Sequence, residues 1–153
     1  MINLKESIES GEFYFIHVDD DCNDTISAQV KFDNFYQLDW SLVDDIDEVE
    51  DVEAGANIWI LDISIVSLNK KKLSFDDLKD KFKLLDQDEY EYDVVEDSHL
   101  CGYSDFAEKT KLSKLHYVDL KPKILKSGAI AFELPPEFDE LYVSIEEGEI
   151  SEV

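Results

Sequence analysis

Between Asn57 and Leu68 the chain reads N-I-W-I-L-D-I-S-I-V-S-L. Trp59, Leu61, Ile63 and Ile65 fall on one side of a two-residue period; Ile60, Asp62, Ser64 and Val66 fall on the other. Alternation of this kind, rich in β-branched and aromatic residues, predicts a long strand with one face in a core. Glu12–Val18 and Ile26–Phe32 have the same character on either side of the turn-forming run Asp19–Thr25, and predict a hairpin. Asp33-Asn34 then predicts a turn, and Phe35–Trp40 a further short strand.

Beyond the central strand, Ser74-Phe75-Asp76-Asp77 predicts a capped helical turn ending near Lys81, with the Ser74 hydroxyl meeting backbone N–H groups. Phe82–Leu85 and Tyr90–Val95 predict two strands around a polar turn, and Leu115–Leu120 another. Gly128 opens a strand that ends at Pro135-Pro136, since neither proline can donate to a ladder. Leu141–Ile145 is the last expected strand, with 146–153 a frayed acidic tail. Residues 1–11 predict a lead-in or helical turn closed by Gly11, and 96–114 a long connection. Eight or nine short strands without a sustained helix predict an all-β antiparallel sandwich, one domain over 1–153.

Ser41–Ala56 interrupts this pattern. Val43, Ile46, Val49 and Val52 recur every three residues, which suits either a short amphipathic helix or a loop on the sandwich edge. Its acids, Asp44, Asp45, Asp47, Glu48, Glu50, Asp51 and Glu53, form the densest charge run and are the candidate partner-binding residues. The whole chain carries 38 acidic residues against 14 lysines, a formal charge of −24. Residues 1–55 alone hold 16 acids and two lysines, and a net charge of 2 − 16 = −14. Such a surface repels nucleic acid and anionic membrane and favours basic protein partners. A solubilising role for the acid is the plainer reading of the same count.

Candidate chemistry is sparse. Asp19, Asp21 and Asn23 have the alternate-position oxygens that open a calcium loop. Asp24 stands where that loop needs Gly, however, and Val30 where it needs Glu, so a solvated turn is expected and no metal. Asp97, His99 and Cys101 lack the further ligands of a zinc site, and His17 and His116 could converge only by folding. A Cys–His nucleophilic pair from Cys101 with His99 or His116 has no Gly-rich or nucleophile-elbow motif beside it. No catalytic residue and no cofactor are therefore expected. Cys22 and Cys101 suit two reduced thiols in the cytoplasm or one disulfide outside it. As written the chain reads as cytoplasmic, and as extracellular if a leader has been removed.

From Asn57 to Ile145 the order of features resembles an immunoglobulin-like domain family, largely of unknown function. It occurs in small secreted and lipid-anchored proteins of Gram-positive bacteria and some archaea, and small mycobacterial secreted antigens share its fold. The resemblance lies in I-W-I-L-D-I-S-I-V-S-L-N at 58–69, L-S-F-D-D-L at 73–78 leading to F-K-L-L-D-Q-D-E-Y at 82–90, and D-L-K-P-K at 119–123 before S-G-A-I-A-F-E-L-P at 127–135. Lys123 stands where the family usually has Gly. The resemblance implies an immunoglobulin-like sandwich that is not an enzyme. Two functions follow as expectations: a module that binds a basic protein through its acidic face, or an inhibitor whose carboxylates imitate nucleic acid. A hydrolase built on the His and Cys residues is a distant third.

Overall fold

The computed structural model describes residues 1–19, 25–37, 57–95 and 118–153. In chain order these form β1 (Ile2–Asn3), α1 (Leu4–Ser10), β2 (Phe13–Val18), β3 (Ile26–Gln37), β4 (Asn57–Ser67) and β5 (Leu73–Ser74). There follow α2 (Phe75–Lys79), β6 (Phe82–Asp86), β7 (Glu91–Asp93), β8 (Asp119–Leu120), β9 (Leu125–Leu134), β10 (Leu141–Ile145) and β11 (Gly148–Glu152). A five-stranded antiparallel sheet, β11-β2-β3-β4-β9, faces a four-stranded one, β1-β10-β6-β7, and β5 pairs with β8. The protein is an all-β, immunoglobulin-like antiparallel sandwich with two short helices.

The core lies between the sheets. Ile16, Val30, Phe32, Leu61, Ile63, Ile65, Ile130 and Phe132 from the larger sheet meet Phe82, Leu84 and Val143 from the smaller, with Phe75 and Leu78 of α2. The strand residues among them are buried together because alternate residues of a pleated strand share a face. α1 starts where the Asn3 side chain accepts from Glu6 N–H at 3.1 Å and stops at Gly11, φ 65°, a left-handed residue whose N–H donates to Ser7 O.

The sandwich is joined along both sides. On one, Val94 bridges to Phe132 and Val95 N–H donates to Ala131 O at 2.8 Å, so the chain leaving β7 covers part of the outer edge of β9. On the other, β10 passes to β11 through Glu146-Glu147 and thereby changes sheet. Lys81 O accepts from Glu146 N–H, and Lys83 ion-pairs with both Asp93 and Glu146, the Asp93 bond holding its ammonium above the usual range.

Several expectations need correction. Asp33-Asn34 is not a turn: β3 runs unbroken for 12 residues, with a bulge between Phe32 and Asn34. The extra residue reverses side-chain parity, so Phe32 and Phe35, three apart, pair with Ile63 and Leu61 on the inner face. β4 is buried on both faces over much of its length, and not on one face alone: Ile58 and Ile60 are as inaccessible as Leu61 and Ile63. Trp59 is half-buried at the rim, stacked on Phe35 at 4.9 Å and edge-on to Phe138 at 5.3 Å. Ser74 does sit at the N-cap of α2, yet its side chain makes no capping hydrogen bond. β9 starts at Leu125, three residues before Gly128. The acidic tail is a strand: β11 pairs with β2 over five residues, from Gly148 opposite Val18 to Glu152 opposite Tyr14. Its single apolar residue, Ile150, lies over the core edge, and the main-chain ladder supplies what acidic side chains cannot. Of the strand expected at Leu115–Leu120, Asp119–Leu120 form β8 and 115–117 lie outside the described residues, as does segment 41–56.

Two turns carry testable weight. A Cβ on Gly148 would lie 2.2 Å from His17 O, so Gly148→Ala must push β11 off β2. A loss of about 1–3 kcal/mol is expected in chemical denaturation. In the β6–β7 turn, buried Asp86 accepts from Asp88 N–H at 2.9 Å, Tyr90 N–H at 3.0 Å and Tyr92 O–H at 3.0 Å. Asp86→Ala strands those donors and is expected to cost about 3 kcal/mol in the same measurement.

Candidate binding surface

The outer face of the five-stranded sheet is divided. Towards the start of β4, Ile58 and Ile60 with Ala129 and Ala131 of β9 are buried although strand parity turns them outward. Towards its end, one cross-strand row reads Ser151, Phe15, Gln29, Val66, Leu125. Here Phe15 is 37% exposed, Leu125 54% and neighbouring Leu68 37%. Phe13, one row away, lies under the Lys31 ammonium at 5.9 Å. Aromatic and aliphatic side chains thus share an open sheet face with polar ones.

Polar pairs mark the boundary between the halves. The Ser64 hydroxyl donates to Asp33 Oδ2 at 2.6 Å and lies 3.0 Å from Ser127 Oγ, while Lys31 ion-pairs with Asp33. Deeper, Tyr36 meets Asp62, a carboxylate only 7% exposed. Burial, reinforced by the Asp62 charge and hydrogen bond, pushes the Tyr36 phenol up to about 12.

The end of the sandwich beside this open face carries two lysine-rich segments. The turn after β4 carries Lys70, Lys71 and Lys72, the connection from β8 to β9 carries Lys121 and Lys123, and Lys126 follows at the start of β9. The two segments are tied together, since Ser67 bridges to Pro122 and Lys123 N–H donates to Ser67 O at 2.9 Å. Asn69 fixes the β2–β3 side of the same end, accepting from Ser27 N–H and donating to Thr25 O. Lys123 holds φ 61°, a conformation glycine adopts freely. A groove of about 800 Å³ separates Lys70–Lys72 from Asp76, Asp77 and Asp80. A second, of about 600 Å³, runs between α1, Phe35 and Phe138 at the opposite end.

Of the residues singled out in the sequence, Asp44, Asp45, Asp47, Glu48, Glu50, Asp51 and Glu53 lie outside the described residues, as do Asp21, Asn23, Asp97, His99, Cys101, His116 and Cys22. Asp19 is described; it accepts from Thr25 Oγ1 at 3.3 Å and lies 3.4 Å from His17 Nε2. Among the described residues no three His, Cys, Asp or Glu side chains stand close enough to share a metal ion. No helix among them is long and apolar enough to cross a membrane. The open apolar row and the joined lysine segments were missed by sequence reasoning. Their local signals were the basic turn at Lys70–Lys72 and K-P-K-I-L-K at 121–126, two aliphatic residues hemmed by lysines; neither reveals that the two segments meet.

This arrangement of strands is that of known sandwich proteins. The secreted protein MPT63 of Mycobacterium tuberculosis matches over 91% of this chain and 92% of its own, with a TM-score of 0.51 at 9% identity. The "putative lipoprotein (ycdA)" of Bacillus subtilis matches over 82% of this chain, which spans 36% of it, with a TM-score of 0.51 at 15% identity. These likenesses concern the fold. No protein-family model and no curated protein sequence matches the chain.

The Tyr36–Asp62 pair has a measurable signature. Because the folded phenol binds its proton more tightly than an unfolded one, its contribution is complete below pH 10.0 and is lost as the pH rises towards about 12. Stability should therefore fall across that window, and the slope should be shallower in Tyr36→Phe. Tyr92 and Tyr142, also raised, leave a residual slope of the same sign.

Proposed function

We propose that this protein is a non-enzymatic binding module that uses the sandwich as a rigid scaffold and offers an acid-rich segment to a basic protein surface. The observation that carries the reading is where that segment is attached. Residues 38–56 contain eight acids and no lysine, and are inserted between β3 and β4, the most extensively paired strands of the larger sheet. Gln37 and Asn57, at the two ends of the insertion, are held in the ladders of β3–β4 and β4–β9. A charge-bearing segment attached to a well-paired pair of strands is the usual way a scaffold presents a recognition element. On this reading the candidates remain Asp44, Asp45, Asp47, Glu48, Glu50, Asp51 and Glu53. No metal or cofactor is invoked.

The same reading has the chain work outside the cell, as a member of the immunoglobulin-like family of secreted and lipid-anchored proteins described above. Its support is the sandwich shared with a secreted mycobacterial protein and a Bacillus protein of lipoprotein description.

The test is binding to a basic probe protein, a histone, at low and moderate salt. Wild type should bind at low salt and lose affinity steeply as salt is added. A variant with the seven acids changed to Asn or Gln should bind at least about tenfold more weakly. Equal binding by that variant sinks the reading. Competition by duplex DNA for a shared basic partner would instead favour the nucleic-acid-mimicking inhibitor.

A further inference from the structure

The lysine-rich end of the sandwich is at odds with the charge of the whole chain. Residues 121–127, K-P-K-I-L-K-S, are seven consecutive exposed residues. Ile124 and Leu125 within them are 47% and 54% exposed, and Leu68 of the adjoining turn 37%. The same two segments carry Lys70, Lys71, Lys121, Lys123 and Lys126. None of the five makes an ion pair among the described residues, whereas neighbouring Lys72 pairs with Asp119. We propose that this end docks on an anionic lipid surface, with Ile124, Leu125 and Leu68 entering the headgroup region and the five lysines contacting lipid phosphates.

Three observations favour lipid over another protein. The apolar groups are few and lie at the end of a sheet, too small an area for a stable protein interface, which needs about 800 Å² on each partner. Aliphatic side chains ringed by lysines are what an interfacial anchor requires: the first partition into the acyl boundary while the second hold the headgroups. The segment is also braced, by the Ser67–Pro122 bridge and the Lys123 N–H to Ser67 O bond, so little order is lost on insertion.

Net charge does not forbid this. Asp119, two residues before Lys121, is paired with Lys72, and Asp19 sits three strands from β9, roughly 14 Å at the usual strand spacing, beyond a physiological Debye length of about 8 Å. Residues 38–56 join the sheet at the other end of β4, roughly 35 Å away by strand rise. Asp76, Asp77 and Asp80 do face Lys70–Lys72 across their groove. Lys121, Lys123 and Lys126 do not line that groove, and they carry most of the attraction.

The experiment is vesicle flotation with the full chain, using phosphatidylcholine alone or with about one third phosphatidylglycerol, the composition that sets the surface potential. The protein should float with the anionic vesicles and not with the neutral ones. Lys121→Gln/Lys123→Gln/Lys126→Gln and Ile124→Ser/Leu125→Ser should each lower partitioning at least about tenfold. All five positions are exposed, so the melting temperature should stay near wild type and separate lost docking from lost folding. No flotation overturns the proposal. So does a serine variant that floats like wild type, because the contact is then mere adsorption of lysines. Failure to float combined with retention on immobilised polyglutamate would assign the end to an acidic protein instead.

Discussion

Backbone N–H and C=O groups in the middle of a sandwich have no water to turn to, and in β4 they are met from both sides. β3 pairs with it from Ala28 opposite Ser67 to Gln37 opposite Trp59, and β9 from Asn57 opposite Leu134 to Val66 opposite Leu125. Unpaired, each such group would cost as much as a lost hydrogen bond. The side chains repeat the constraint: Leu61, Ile63 and Ile65 fill the inner layer while Ile58 and Ile60 are sealed on the outer one. Every other element is placed by reference to this strand. β2 and β11 extend the sheet beyond β3, and the smaller sheet closes over the face that β4 presents.

Where the chain must leave regular pairing, single residues decide the path. Asp86 gathers two backbone donors and one phenol, so the β6–β7 turn is set by one buried carboxylate. Gly148 lets β11 come within contact of His17 O, and the bulge in β3 lets two aromatic residues three positions apart enter the same core. Lys123, Glu89 and Glu147 hold positive φ without being glycine, each in a connection between strands. Such conformations persist when the flanking ladders over-determine the turn.

The strands with strong period-two alternation were legible in the sequence, because a half-buried strand writes its burial into every second residue. β2, the first part of β3, β4 and β10 are of that kind. β11 was not legible: G-E-I-S-E holds one apolar residue, and its pairing depends on main-chain groups that any sequence carries. The bulge was read as a turn because Asp33-Asn34 has turn composition; nothing local reveals that β4 continues opposite it. The candidate surface was less legible still. Phe15, Val66 and Leu125 are 51 and 59 residues apart in sequence and become neighbours only through two strand registers. The lysines of 70–72 and 121–126 are brought together by the β4–β9 ladder, the β5–β8 pair and the contacts of Ser67, all distant in sequence.

The length of β4 has an electrical consequence. Lysines that make no ion pair among the described residues gather beyond its last residue, while the connection bearing eight carboxylates and no ammonium departs next to its first. The lysines and the point where that connection leaves the sheet are therefore set apart by the length of one strand, roughly 35 Å by strand rise. A charged partner meets a different attachment at each end, and the rigid ladder between them keeps the two from merging.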